Sequence, residues 1–485
     1  MKTKKFWVAA GFALFWRRKM SPLSAEVAVN TSLPPSSPVP PQGFTYAIET
    51  LGCKANLTDS NLLSSRLNEL GGLRVDGEEP VDVYVLNSCT VTDRADRDAL
   101  KLIAGRKAGL RVLTGCMAEV SPDALDKMRA QGQRVLLARN SAKAELANVI
   151  RAGLDGVVLP SEAIVGDRSR WHQSLDFVPG AESLAGNRTR AFLKVQDGCN
   201  QFCSYCIIPL ARGRSRSLTP EDVVREVADL ANQGIQEVVL TAIHAADYAS
   251  SIGGFTNLVE RVLTETRVPR LRLTSLDPAE IDDKLLDLMS SESRLCPHFH
   301  VSLQSGSTRV LAAMKRHYDG ELAEERLHAI VNRVPGVFIG MDMIAGFPGE
   351  SDVDHEETVA RLKRSPWTRL HVFPYSLRRS TVAAKMVAEG LGVPEPIKRI
   401  RAKELRALSE ERLAKELDAR VGRVMELLVE EKTTLHNGIP HSQGHSRSYF
   451  KVIVPTQVQP NSRVTVRIEG AIAKREVLLG ALLTS

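Results

Sequence analysis

Three cysteines within eight residues are the strongest chemical signal in this 485-residue chain. Cys199, Cys203 and Cys206 stand in GCNQFCSYCIIP, a C-x3-C-x2-C spacing. Cysteine thiolates are the ordinary ligands of iron–sulfur clusters. Three from one loop can hold three corners of a cubane and leave its fourth iron open to a substrate. A structural zinc site wants four ligands, and the nearest following histidine is His244, so zinc ranks low. Three more cysteines, Cys53, Cys89 and Cys116, are 36 and 27 residues apart, too far for a local motif. They become a second centre only if the fold gathers them. The plain alternative is three unrelated buried thiols, since free cysteine is often buried. Cys296 stands alone and reads as structural, with His298 and His300 beside it on one strand face.

The elements that must position these thiols follow from patterning. FTYAIET, VDVYVLNS and RVLTG read as strands that run into Cys53, Cys89 and Cys116. Helical stretches from Asn56 to about Leu70 and from Asp93 to Ala108 lie between them. That alternation predicts an open parallel α/β domain over 43–165. Open α/β sheets bind ligands at the carboxyl edge, where three thiols from three strands can converge. Residues 166–187 read as a polar linker. Over 185–415, AFLKVQ, EVVLTA, RLRLTS, FHVSLQ, VFIGMDMI and RLHVFPY alternate with helical stretches, which predicts a partial (βα)6 barrel with the close cysteine triad in its first loop. A charge-laced helix closes that region over 394–418. From 418 to 485, VMELLVEE, SYFKVIVP, SRVTVRIEG and KREVLLG read as short strands of a small all-β barrel. The fold class is α/β, with this all-β unit appended.

Composition narrows the classes. Seven cysteines are too few for a disulfide scaffold. The net charge of +7 suggests nucleic acid, but residues 1–42 hold six of the basic side chains and one acid. The body is therefore nearly balanced, and any RNA argument rests on local patches. The tail has a basic start and an eleven-residue apolar run, FWVAAGFALFW, too short to span a bilayer as a helix. Its Pro/Ser stretch TSLPPSSPVPPQ reads as disordered. The expectation is a disordered extension over 1–42, with Met20 as an alternative start, no stable membrane association and a cytoplasmic location.

The motifs together resemble a known family. C-x3-C-x2-C with Tyr205 before the third cysteine, after the first strand of a βα series, resembles the radical S-adenosylmethionine (SAM) superfamily. LGCKAN, LNSCTVT and LTGCMAE, then ARGRSRS, LQSGS, GFPGE and HVFPYSLR, resemble the methylthiotransferases. The final barrel resembles their TRAM domain. LGCKAN, SCTVT and RLRLTSLDP are most similar to the branch that acts on N6-threonylcarbamoyladenosine beside the tRNA anticodon. The resemblance implies two 4Fe-4S clusters as cofactors. One, on Cys199, Cys203 and Cys206, binds and cleaves SAM; the other, on Cys53, Cys89 and Cys116, carries or supplies the sulfur. It implies the tRNA anticodon loop and a low-potential electron donor as partners.

Further residues stand where such a barrel would place SAM contacts: Ser275, Gln304, Ser305 and Asp342, each after or near the end of a strand. A polar residue there is often only a cap. Arg212, Arg214 and Arg216 follow the close triad and are candidates for gripping anticodon-loop phosphates. Arg447 and Lys451 are candidates in the C-terminal barrel, which holds nine basic and six acidic residues over 418–485. The sequence departs from the family at Ala242 in TAIH and at Ser380 in LRRST, where glycine is common. Two other readings remain: a methylthiotransferase for isopentenylated adenosine or a ribosomal-protein aspartate, and a non-catalytic RNA-binding iron–sulfur protein.

Overall fold

The computed structural model describes residues 43–121, 123–155, 164–165, 189–273, 275–455 and 457–483. The N-terminal extension and most of the expected linker lie outside the described residues. The first unit is a six-stranded, all-parallel sheet with spatial order 72–74, 44–50, 81–88, 108–115, 135–138, 164–165. Its central strand VDVYVLNS is buried at every position but Asp82 because helices cover both sides, and its polar Asn87 and Ser88 fall at the carboxyl end. Tyr46, Val83, Val85 and Val112 pack on one face with Leu63 and Leu67; Tyr84, Leu86 and Leu113 pack on the other with Ile103 and Met117. Register aligns the strand ends: Thr50 sits opposite Asn87, and Asn87 opposite Thr114.

The second unit carries parallel strands Arg190–Lys194, Glu237–Thr241, Arg270–Arg272, Ser275–Leu276, His298–Gln304, Phe338–Ala345 and Arg369–Pro374. The expected single strand RLRLTS is two pieces. Arg270–Arg272 pairs with Glu237–Thr241, whereas Ser275–Leu276 pairs with His298–Gln304. This break carries the array from a three-stranded to a four-stranded sheet. One face of each strand, including Leu193, Val238, Leu271, Phe299, Met341 and Leu370, packs against the helices in one core. The other face is polar: Arg190, Lys194, Glu237, Arg270, Arg272, His300 and Asp342 point away from that core, as strand alternation requires.

The long helix Glu395–Asp418 joins two cores. Ala402 and Leu405 belong to the barrel core, while Leu413 and Leu417 pack into the C-terminal unit. That unit is a closed five-stranded barrel of Val424–His436, Ile439–Ser446, Lys451–Val454, Arg463–Ile472 and Val477–Leu482. Ile439–Ser446 was not among the expected strands; in IPHSQGHS only Ile439 is one of the β-branched or aromatic residues that mark one, and Pro440 follows it. Gly444 permits the crossing there, since a Cβ would collide with the Leu428 carbonyl.

Candidate active site

The close triad lies in a loop between Gln196–Asp197 and the short helix Ile208–Arg212. Gly198 (φ +77°) starts the loop, and a Cβ there would collide with the Arg214 carbonyl. Phe202 also takes a left-handed backbone. Ser204 anchors the loop: its N–H donates to Met314 O (3.0 Å), its hydroxyl to Ala313 O (2.8 Å), and its carbonyl accepts from Ala383 N (2.8 Å). The thiols are mostly shielded. Burial pushes Cys199 up to about 11 and Cys206 up to about 12. Backbone N–H groups oppose this: Gln201 N lies 3.4 Å from Cys199 Sγ, and Ile208 N serves Cys206. Arg316 donates to Cys203 Sγ at 3.2 Å. Donors aimed at sulfur, with protons that burial makes easy to keep until a cation displaces them, suit a metal-bound thiolate.

Beside this loop sits a charged cluster that the sequence did not reveal. His244 Nε2 is 2.9 Å from Glu280 and 3.3 Å from Asp277, and Nδ1 is 3.6 Å from Asp247. Burial alone would lower the imidazole pKa, but those three carboxylates raise it to about 12. Arg316 pairs with Asp277 and so links this cluster to Cys203. Ligand atoms of Cys199, His244 and Asp247 lie within 4.8 Å of one another.

The spread triad is gathered as strand register demands. Cys53 caps the helix Lys54–Glu69, Cys89 follows the strand Val81–Ser88, and Cys116 opens the helix Cys116–Val120. Gly52 (φ +101°) lets the first turn close on the second: a Cβ would lie 2.7 Å from Cys89 Cβ and 3.0 Å from its Sγ. Burial pushes Cys89 up to about 11, with Cys116 and Cys53 adding to the rise and the N–H groups of Val91 and Thr90 opposing it. Burial also raises Cys116, while Arg212 works against it. Three thiols near one another, with backbone N–H groups and a guanidinium toward them, fit a second iron–sulfur centre. Among the described residues neither triad has a fourth cysteine beside it.

Arg212 corrects an expectation. It is 2% exposed and faces the neighbouring domain, not solvent. It donates to Asp197 (2.7 Å), to Asp59 (3.0 Å) and to Asn56. Asp59 also receives Lys143 and, at 2.5 Å, Lys194. Burial would raise the Asp59 carboxyl, but those three cations hold it well below the usual range. Both terminal nitrogens of Arg212 are taken and its Nε is itself buried, so the guanidinium is out of reach of an RNA phosphate. Arg216 is half-buried, 3.8 Å from Asp197; Arg214 is exposed, over the Phe202 ring at 5.6 Å. Arg447 likewise turns inward: it donates to the carbonyls of Ser293 and Leu295 (3.2 Å), fastening the C-terminal barrel to the central one. Lys451 is half-buried at a strand start.

The expected SAM contacts divide. The Ser305 hydroxyl is buried, 3.4 Å from Thr358 Oγ1 and accepting from Ser307 N at 3.2 Å, so it stabilises its own loop. Asp342 pairs with His300 at 2.9 Å on the inner face. Ser275 and Gln304 are half-buried at strand ends, Gln304 in a left-handed conformation. Ala242 is buried and packs in the barrel core. Cys296 is buried with its thiol pushed up to about 11 by burial, consistent with a structural role.

The fold and the close triad define a radical SAM enzyme, and comparison agrees: residues 193–362 match the radical SAM superfamily and residues 45–136 match uncharacterized protein family UPF0004. A methyltransferase of that superfamily, TsrM from Kitasatospora setae, shares the fold (TM-score 0.52, 17% identity, 72% of this chain and 78% of that one). Much greater similarity is found to the threonylcarbamoyladenosine tRNA methylthiotransferases MtaB of Aquifex aeolicus (38% identity, 80% of this chain, 93% of the relative) and Bacillus subtilis (34%, 84% and 90%). A tRNA-2-methylthio-N(6)-dimethylallyladenosine synthase of Moorella thermoacetica is 32% identical over 80% of this chain and 87% of its own length. The chain belongs to the radical SAM tRNA methylthiotransferase family. It is an enzyme that transfers a sulfur-containing group, with SAM and iron–sulfur clusters as its cofactors. No helix among the described residues is long and apolar enough to cross a membrane.

Proposed function

We propose that this enzyme converts N6-threonylcarbamoyladenosine beside the tRNA anticodon to its 2-methylthio derivative. The observation that carries the reading is the joining of the two triads. The helix that leaves Cys206 ends in Arg212, and Arg212 reaches Asn56 and Asp59 on the helix that Cys53 caps. An aromatic C–H bond resists removal by a side-chain base, so the bound cofactors supply the radical and the sulfur. The chain's own residues hold them. Cys199, Cys203 and Cys206 ligate the cluster that takes SAM; Cys53, Cys89 and Cys116 ligate the sulfur-bearing one. Arg316 steadies Cys203, and the Arg212–Asp59–Asp197 network fixes the distance between the triads, which a two-centre reaction needs.

Ser275 and Gln304, with Asp342 on the inner face, face the space for SAM. Arg214, Arg216 and Lys451 offer positive charge to the anticodon loop. A low-potential donor in the cytoplasm reduces the SAM-binding cluster. Nucleoside mass spectrometry of tRNA from a strain lacking this gene tests the assignment. Loss of 2-methylthio-threonylcarbamoyladenosine, restored by the gene, is expected; an unchanged level, or loss of the dimethylallyl form instead, refutes it.

A further inference from the structure

Lys54 follows the candidate cluster ligand Cys53 directly, yet its side chain does not stay with its own domain. Its ammonium lies 5.6 Å from the ring centre of Phe192, on the polar inner face of the central barrel. Around it are Arg190, Arg272, His298 and the Tyr449 ring, which enters from the C-terminal barrel. Tyr449 is 4.8 Å from the Arg272 guanidinium, 5.7 Å from that of Arg190 and 4.5 Å from the His298 ring.

The carboxylates nearby are already matched. Glu237 takes Arg272 at 2.7 and 2.9 Å, Glu426 takes Arg270 at 2.6 Å, Glu430 takes Arg190 at 2.9 Å and His445 at 2.7 Å, and Asp342 takes His300. Among the described residues no acceptor pairs with the Lys54 ammonium. Its neighbourhood therefore holds an unmatched positive charge. Tyr449 registers that field: although burial raises a phenol, Lys54, Arg190 and Arg272 together bring this one below its usual value. A half-buried ammonium without a counter-ion is costly, and an incoming anion relieves it.

We infer that Lys54, supported by Arg190, is the specificity-determining residue that receives the carboxylate of the N6-threonylcarbamoyl group. The inference rests on the proposed function. Three anions can reach a methylthiotransferase site: the SAM carboxylate, an RNA phosphate and the substituent on the base. SAM belongs at the open iron of the other triad. This seat lies on the inner barrel face between three domains, with Lys54, Arg190 and Tyr449 each from a different one, and not on an outer basic surface that would follow a phosphate backbone. C2 and the N6-bearing carbon flank one ring nitrogen, so an N6 substituent anchored one residue from Cys53 leaves C2 directed at the second triad. A dimethylallyl group offers no charge to this seat.

The test uses full-length, anaerobically reconstituted enzyme and three synthetic anticodon stem-loops. They carry threonylcarbamoyladenosine, its neutral carboxamide analogue, or plain adenosine. The wild type is expected to bind the carboxylate form about ten- to a hundredfold more tightly than the carboxamide, the range for a hydrogen bond to a charged group. Lys54→Met should erase that preference while its affinity for plain adenosine stays level, and Lys54→Arg should keep part of it. Equal weakening of all three stem-loops by Lys54→Met would identify a phosphate contact and overturn the inference. Loss of iron or of SAM affinity in both variants would place Lys54 with a cofactor and also overturn it. A wild type that methylthiolates threonylcarbamoyladenosine while Lys54→Met keeps the carboxylate preference sinks this inference alone. A wild type that fails to methylthiolate it sinks the proposed function.

Discussion

Cys199, Cys203 and Cys206 come from one loop held by Ser204 and Gly198, whereas Cys53, Cys89 and Cys116 come from three strand ends held by sheet register. The first arrangement depends on local backbone geometry. The second depends on the whole domain, since a slip of one strand would move a thiol away from the others. The close triad suits a cluster with one open iron for a small cofactor. The spread triad lies near the domain boundary, where Arg212 acts on Cys116 and bridges Asp59 and Asp197.

The largest break in this comparison comes from the cysteines themselves. Wild-type enzyme should hold about eight irons, two cubanes' worth. Cys203→Ala should remove about half of that iron and abolish SAM cleavage, read as 5′-deoxyadenosine formation. Retained cleavage would contradict the assignment of the close triad. Cys89→Ala should also lose about half the iron but continue to cleave SAM without methylthio product. Normal product would remove the second cluster from the reaction.

Next in size is the link between the triads. Arg212→Met strips a buried cation from Asp59 and Asp197, and removing one partner of such a network costs about 3–5 kcal/mol. A lowered melting temperature is expected, together with weaker coupling of SAM cleavage to product. Unchanged stability would show that the network contributes nothing. Gly52→Ala is a subtler probe. The positive φ alone costs about 1–3 kcal/mol, and the added methyl meets Cys89, so the second cluster's electronic spectrum should change while SAM cleavage through the first persists. Arg214→Ala should have the smallest effect, about a few-fold weaker tRNA binding with a shallower salt dependence; no change would remove Arg214 from the RNA surface.

The close triad was legible because its spacing is the signal. The spread triad was legible one step later, because strand and helix patterns placed each cysteine at a strand end; register then supplied the alignment that spacing lacked. Arg212 misled, since a basic residue beside a site reads as an RNA contact until its partners are known, and Asp59 lies in another domain. His244 and its carboxylates were invisible because they meet only across strand ends. The buried charges Glu237, Arg270 and Arg272 sit on strands that sequence marks simply as barrel strands, and their inward face becomes meaningful only when Lys54 and Tyr449 reach it from two other domains. The strand Ile439–Ser446 was missed because barrel closure, not propensity, makes it a strand.

The most direct test of the two-centre account is to react the reconstituted wild-type enzyme with SAM, a reductant and tRNA carrying threonylcarbamoyladenosine, and to analyse the nucleosides by mass spectrometry. The account predicts 2-methylthio-threonylcarbamoyladenosine formed together with 5′-deoxyadenosine. 5′-Deoxyadenosine without any methylthio nucleoside, from protein loaded with both clusters, would contradict it.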